Sequence, residues 1–208
     1  LVAMAIGVPS GIVAAAHRGS WWDRGLMLVS LLGVCIPGFW LSLNFIFLFA
    51  VRLGWLPAAG YASILSEPRA ALTYMVLPAG SLGFSQSALI ARIARSCMLD
   101  VLAQDYIRTA RAKGLHPRVV TYVHAFRNAL VPVVAVIGIT TAILIGGAVV
   151  TEIVFNIPGL GRLVITAILP RDYPVVHGVV LATAAVYVLI NLMVDLLYAF
   201  IDPRIRYE

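Results

Sequence analysis

Charged residues are scarce in this 208-residue chain. Asp, Glu, Lys and Arg together make up only 12% of it, whereas 62% of its residues are hydrophobic. Soluble globular domains are about 45–50% apolar and about 25% charged. The mean hydropathy of +0.98 therefore excludes an ordinary soluble domain and indicates an integral membrane protein.

Cysteine and catalytic motifs are also lacking. Cys35 and Cys97 are the two cysteines and fall in or beside different apolar stretches, which excludes a disulfide framework. The sequence contains no GxxxxGK[ST] phosphate loop, no GxSxG and no HExxH. His116 and His124 have no Cys, Asp or Glu beside them at metal-ligand spacing. We therefore predict no catalytic site and no metal or nucleotide cofactor in this chain.

Basic residues outnumber acidic ones, 15 to 9, which gives a net charge of +6. A basic chain can bind nucleic acid, but these bases stand beside apolar stretches and are not interleaved with aromatic residues that could stack on bases. Orientation in a membrane explains them better. We predict a lipid bilayer as the surroundings and no nucleic-acid partner.

Five apolar segments are candidates for membrane spans, and they predict an all-α, polytopic transmembrane helical bundle. They cover residues 1–16, 26–51, 75–94, 129–150 and 176–201. Pro37-Gly38 should kink the second span, because proline removes a backbone hydrogen bond and glycine relaxes the turn. Residues 52–74 and 151–175 read as loops on one side, the second with a tight turn and a short amphipathic helix.

The bases are divided unequally between the two sides of this bundle. Eleven of the fifteen fall on the side that carries loop 92–130, and four fall on the other. The positive-inside rule then places this loop and the C-terminus in the cytoplasm.

The loop itself has the pattern of a helix, a sharp turn and a second helix. Gly114 predicts the end of the first helix in a left-handed conformation, and Pro117 predicts the first turn of the next. One face of the first helix is apolar and the other polar. The apolar face comprises Leu99, Leu102, Ala103, Tyr106, Ile107 and Ala110, and the polar face Asp100, Gln104, Arg108 and Arg111.

The segments RTARAKGL and HAFRNALVP resemble the "EAA" loop of the permeases of binding-protein-dependent ABC importers, most closely in the dipeptide, oligopeptide and nickel subfamily. Arg108, Thr109 and Ala110 occupy the Glu-Ala-Ala positions before the family's invariant glycine, which is Gly114. A base thus replaces the acid, and Asp105 is the nearest carboxylate. VRLGWLPAAGY, VFNIPGLGRL, RDYPVVHGVV and VDLLYAFIDPRIRY also read like that subfamily, in order.

The resemblance implies that residues 1–208 are a single permease domain of a bacterial or archaeal cell membrane, with one further span before residue 1 and six in the full chain. It implies a homologous second permease, two ATP-binding subunits that carry ATP and magnesium, and an extracytoplasmic solute-binding protein. Peptides are the expected solute, with nickel chelates and haem as alternatives. It also implies that the first helix of the loop couples to an ATPase subunit. These coupling residues are Gln104, Asp105, Arg108, Thr109, Ala110, Arg111, Ala112, Lys113, Gly114 and Leu115.

Two further groups of site residues are expected. Small and polar residues within the spans suit a translocation path or gate; these are Ser85, Gln86, Thr140, Thr141, Gly146 and Gly147. Residues of the external loops would meet the binding protein; these are Tyr61, Asn156, Gly159 and Arg162.

An ion-coupled secondary transporter is the alternative, because such carriers use broken helices and charges within the membrane. Pro37-Gly38 and Asp195 are its only support. An ion pair between Asp195 and an arginine of loop 92–130, aided by Asn191, is the expected structural role of this acid.

Overall fold

The computed structural model describes the backbone of residues 1–201, and the side chains of these residues except 142, 143, 145–147 and 197–201. This part of the chain is helical and contains no strand. The helices are α1 (Val2–Ala16), α2 (Trp21–Cys35), α3 (Gly38–Phe45), α4 (Pro68–Leu102), α5 (Asp105–Ala112), α6 (Pro117–Val119), α7 (Phe126–Gly147), α8 (Val149–Val154), α9 (Leu160–Ile168) and α10 (Tyr173–Ile201). Two π-helical segments continue α3 and α6, over Ile46–Arg52 and Val120–Ala125.

The all-α prediction is confirmed, and helices lie at all five predicted span positions. Within the described range, Pro117–Thr141 and Tyr173–Leu196 are each long and apolar enough to cross a bilayer, and α2 with α3 could form a third, broken span. α1 is apolar but has only 15 residues. α4 is 35 residues long but carries arginines and several hydroxyl groups.

The structure differs from the predicted elements most clearly at Pro37, Pro68 and Gln104. Pro37 does not merely kink a helix: α2 ends at Cys35 and a new helix begins after Pro37, whose ψ of 133° is extended. Proline lacks the backbone N–H that would donate the next helical hydrogen bond, so one helix ends before it and another begins after it. α4 begins at Pro68 and replaces part of the loop predicted over residues 52–74. Finally, the amphipathic helix predicted from Leu99 is two helices, because Gln104 has a ψ of 150°.

The chain forms two compact units. The first contains residues 1–35, 84–139 and those from Leu192 on, and the second contains residues 36–83 and 140–191. In the first unit α1 lies directly against α4, because two glycines face it. A Cβ on Gly7 would lie 2.7 Å from the Ser87 carbonyl oxygen, and one on Gly11 would lie 2.6 Å from that of Ala91. Glycine at both positions allows the two backbones to approach closely.

The apolar core of the first unit lies beneath α5. Four helices, α5 among them, and one π-helical segment contribute residues to this core. The inner face of α5 therefore packs against other helices of the same unit. Its buried residues are Ile12, Ala15, Met98, Ile107, Ala110, Val120, Ala125 and Ala129.

In the second unit α3 packs against α8 and touches the N-terminal half of α4. The Ser42 hydroxyl donates a hydrogen bond to the Ser81 hydroxyl at 3.1 Å, and both residues are buried. The amide of Gly60 donates to the carbonyl oxygen of Phe155 at 2.9 Å. This bond holds the loop before α4 against the turn that follows α8.

Candidate functional site: the α5 helix and the loops

α5 presents two different faces. Ile107 is fully buried and Ala110 is 9% exposed, and both pack into the core of the first unit. Burial of an isoleucine side chain stabilises by about 1.5–3 kcal/mol. The nine other predicted coupling residues are exposed, and they are Gln104, Asp105, Arg108, Thr109, Arg111, Ala112, Lys113, Gly114 and Leu115. The structure thus places Ala110, a predicted coupling residue, on the packed face of the helix, whereas the nine others form the outer surface.

The charges of α5 are ordered along its axis. Asp105 stands in the first turn and Arg111 in the last, which suits the positive and negative ends of the helix dipole. Arg108 Nη1 lies 3.2 Å from Asp105 Oδ1, but both side chains are well exposed, so this pair contributes little to stability. The Thr109 hydroxyl donates to the Asp105 carbonyl oxygen. The exposed face is therefore basic and short, with fixed backbone geometry.

Gly114 ends α5 in the left-handed conformation that the sequence predicts, with a φ of +77°. Its amide donates to the Arg111 carbonyl oxygen at 2.9 Å, and the Leu115 amide donates to that of Ala110 at 3.3 Å. These two bonds form a Schellman motif, which satisfies carbonyls at the helix end. The direction in which the chain leaves α5 is thus set by one glycine.

The next helix begins at Pro117, as predicted. His116 caps it, since its Nδ1 accepts a hydrogen bond from the Arg118 amide. Sequence reasoning missed a link between α5 and α7. Asn128 Nδ2 of α7 donates to the Tyr106 hydroxyl of α5 at 2.7 Å and to the His124 carbonyl oxygen at 3.1 Å. Tyr106 had been assigned only by its helical spacing. The start of α5 is therefore tied by side chains to α7.

A partly buried ion pair braces the helix end that precedes α5, and sequence reasoning also missed it. Arg95 Nε and Nη2 donate to the two carboxylate oxygens of Asp23 at 2.6 and 2.8 Å. Asp23 Oδ2 also accepts from the Gly19 amide at 2.9 Å. Asp23 precedes the apolar stretch that starts at Leu26, and Arg95 follows the one that ends at Ala94. The only sequence signal was a single acid within HRGSWWDRG.

The electrostatics of this pair follow from its geometry. Hydrogen bonds from Arg95 and then Gly19, opposed by burial, lower the pKa of Asp23 from 3.8 to about 2. The carboxylate in turn raises the pKa of Arg95. Asp23 is therefore ionised at neutral pH, and it ties the turn between α1 and α2 to α4.

The four predicted binding-protein residues lie in the second unit. Asn156 has a φ of +55°, and its side-chain oxygen accepts a hydrogen bond from Arg162 Nη1. Glu152 Oε2 accepts from the Arg162 amide at 2.8 Å, at the start of α9. A Cβ on Gly159 would overlap the Glu152 carboxylate. Residue 159 must therefore be glycine for the turn to pack against this carboxylate. Tyr61 is 52% exposed beside this turn.

The sequence alone predicts no role for Glu152. It is the only acid between Asp105 and Asp172 in the sequence. This isolated position is the one sequence feature that could have pointed to a role for it. Its carboxylate organises the turn that presents Asn156 and Arg162.

The predicted path residues are divided between the units. Ser85 and Gln86 are half-buried in the first, whereas Thr140 and Thr141 belong to the second. Thr140 is 2% exposed, and its hydroxyl has no hydrogen-bond partner among the described residues. Gly146 and Gly147 lie outside the residues whose surroundings are described.

The ion pair expected for Asp195 is not formed in the described part of the chain. Its side chain is exposed on the apolar helix α10. Asp202, Pro203 and the polar tail that follows them lie outside the described residues. The described residues also contain no group of three His, Cys, Asp or Glu residues that could hold a metal ion.

Comparison with known proteins gives a consistent result. Residues 7–207 match the family described as "Binding-protein-dependent transport system inner membrane component". A relative from Brucella abortus (strain 2308) is 49% identical over 207 residues, which are 100% of this chain and 66% of that protein. The chain thus spans slightly less than two thirds of the length of that relative.

Two named relatives and one solved structure agree with this match. The dipeptide transport system permease protein of Alkalihalophilus pseudofirmus is 45% identical over 100% of this chain and 68% of its own length. The glutathione transport system permease protein of Escherichia coli O1:K1 / APEC is 43% identical over 99% of this chain and 65% of its own length. A chain of the inward-facing MetNI methionine ABC transporter superposes with a TM-score of 0.76 at 20% identity, over 97% of this chain and 88% of that one. That likeness concerns the fold alone.

Proposed function

The chain belongs to the family of binding-protein-dependent transport system inner membrane components, and we propose that it is the permease subunit of an ATP-driven peptide importer. The observation that carries this proposal is the two-faced α5 helix. Its inner face is packed by Ile107 and Ala110, and its outer face is basic and exposed. A helix built in this way can bind a partner protein and transmit the partner's movement to the rest of its own unit.

The contacts of α5 provide the means of transmission. The core under α5 joins Ile12 of α1, Met98 of α4 and Ala129 of α7. Close-packed interiors transmit displacement because they contain little free volume. In our proposal, ATP-driven closure of two cytoplasmic ATPase subunits displaces α5, and these helices move with it. The inward-open and outward-open states of the path are then in equilibrium, and ATP binding shifts that equilibrium.

Several partners belong to the proposal. A homologous permease would complete the path, since five or six spans are few to enclose a solute and close both of its ends. ATP and magnesium would be bound by the ATPase subunits. A solute-binding protein would meet Tyr61, Asn156, Gly159 and Arg162, three of which the Glu152 turn brings together. The eleven-to-four division of bases supports a cytoplasmic α5 and C-terminus.

Peptides are the proposed solute, because the named relatives carry the words dipeptide and glutathione in their names. The ion-coupled alternative has no support from these relatives. Its structural basis is also weak, because Asp195 is an exposed acid without an ion partner among the described residues.

Reconstitution in proteoliposomes tests the proposal. The full-length chain, its permease partner, both ATPase subunits and the binding protein should take up a labelled dipeptide only when ATP is supplied on the ATPase side. The permease chain alone should hydrolyse no ATP. Uptake driven by a proton or sodium gradient without ATP would contradict the proposal and support an ion-coupled carrier.

A further inference from the structure

An open cavity of about 420 Å³ lies in the first unit, beside the exposed face of α5. The turn after α1, the end of α4, α5 and the π-helical segment after α6 surround it. Its apolar lining includes Ala15, Leu99 and Leu102, and its basic lining consists of Arg18, Arg111 and the His17 imidazole. A volume of this size lies within the range of about 300–1,000 Å³ that is usual for small-ligand sites.

The two guanidinium groups at this cavity have no directly bonded acid. Within the described residues, neither Arg18 nor Arg111 forms a hydrogen bond or an ion pair through its side chain. The charge of Arg18 helps to lower the pKa of the nearby Asp23, but both carboxylate oxygens of Asp23 accept their hydrogen bonds from Arg95. Two like charges lining one cavity repel each other, so an anion bound between them would relieve that repulsion.

The position of the cavity indicates the kind of anion. Trp21 and Trp22 follow the turn that lines it and are 85% and 70% exposed, and the Arg24 guanidinium lies 5.8 Å from the centre of the Trp21 ring. Exposed tryptophans beside arginines mark the level of the lipid headgroups. Basic pockets between helices at that level bind anionic headgroups.

We propose that this cavity binds the phosphate group of an anionic phospholipid, with Arg18 and Arg111 as its donors. Guanidinium groups bind phosphate oxygens through paired, charge-assisted hydrogen bonds. The apolar lining at Leu99 and Leu102 suits the glycerol and upper acyl carbons. The bound lipid would bridge the α1–α2 turn and α5. This site goes beyond the proposed transport function and does not depend on the identity of the solute.

Native mass spectrometry of the full-length chain tests this site. The purified protein would be exchanged into detergent with dioleoyl phosphatidylglycerol or dioleoyl phosphatidylcholine. We expect wild type to retain one phosphatidylglycerol in preference to phosphatidylcholine. Arg18→Gln and Arg111→Gln should each weaken retention about tenfold, as loss of one charge-assisted contact predicts. Arg24→Gln is the matched control, because Arg24 stands at the same interface without lining the cavity.

Two further arms distinguish the sources of the anion. Excess inorganic phosphate should not displace the lipid, whereas displacement would show a site for free phosphate and overturn the lipid assignment. Purified ATPase subunits should leave the lipid bound; its release would assign the cavity to an acidic segment of the partner and also overturn the proposal. Equal retention by wild type, Arg18→Gln and Arg111→Gln would overturn it directly. Size-exclusion profiles that match wild type would show that these exposed substitutions leave the fold intact.

Discussion

Substitution of Gly114 isolates the contribution of one backbone conformation to coupling. Gly114 has a φ of +77°, and nothing lies within 4 Å of the position that a Cβ would occupy. A larger residue would therefore meet no steric clash with its surroundings, and the cost comes from the left-handed backbone alone. For an L-residue this cost is about 1–2 kcal/mol. It corresponds to roughly a tenfold fall in the equilibrium constant between the Schellman turn and its unwound form.

Gly114→Val should therefore shift the last turn of α5 toward its unwound form and strongly reduce transport-coupled ATP hydrolysis. Membrane insertion should be unchanged, since it depends on the apolar spans. Gly114→Asn is the graded comparison, because asparagine tolerates the left-handed region better, and it should retain more activity. Arg118→Ala is the external control, because its side chain is exposed and forms no described contact. Wild-type coupling in Gly114→Val would refute the reasoning.

The other predictions concern the Asp23–Arg95 ion pair, the Thr140 hydroxyl and the membrane topology. Asp23→Asn should lower the free energy of unfolding by about 2 kcal/mol at pH 7. Because the pKa of Asp23 is lowered from 3.8 to about 2, the difference in Tm between the variant and wild type should shrink as the pH falls through this interval. An unchanged Tm at pH 7 would contradict this prediction. Arg95→Gln in a double-mutant cycle should show that the two losses are not additive. Thr140→Val should keep or raise Tm, since it removes a buried hydroxyl that lacks a partner, whereas lost dipeptide uptake with intact Tm would place Thr140 on the path. An impermeant thiol reagent should label Ser66→Cys but not Ala112→Cys in intact cells, and the reverse result would invert the topology.

Local chemistry explains the features that were predictable from the sequence. The turn at Gly114 and the helix start at Pro117 depend on the φ preferences of these two residues, and both are confirmed. Helical periodicity predicts the apolar face correctly at Ile107 and Ala110, which are buried, but Ala103 and Tyr106 of the predicted face are exposed.

Features that depend on distant residues could not be predicted in this way. The break at Gln104 was missed because the apolar spacing runs through it without interruption. The partner of Asp23 lies 72 residues away in sequence, and no local pattern joins the two. Glu152 was missed for the same reason, since its role becomes visible only when Gly159 and Arg162 fold back onto it.

Cysteine crosslinking on α5 tests most directly the claim that this helix binds an ATPase subunit. Arg108→Cys lies on the exposed face, and Ala110→Cys, two residues on, lies on the packed face at 9% exposure. In the assembled complex, Arg108→Cys should crosslink to an ATPase subunit with an efficiency that changes when ATP is bound. Ala110→Cys should not crosslink. Absence of any crosslink from both Arg108 and Thr109, or equal crosslinking from Ala110, would contradict the account.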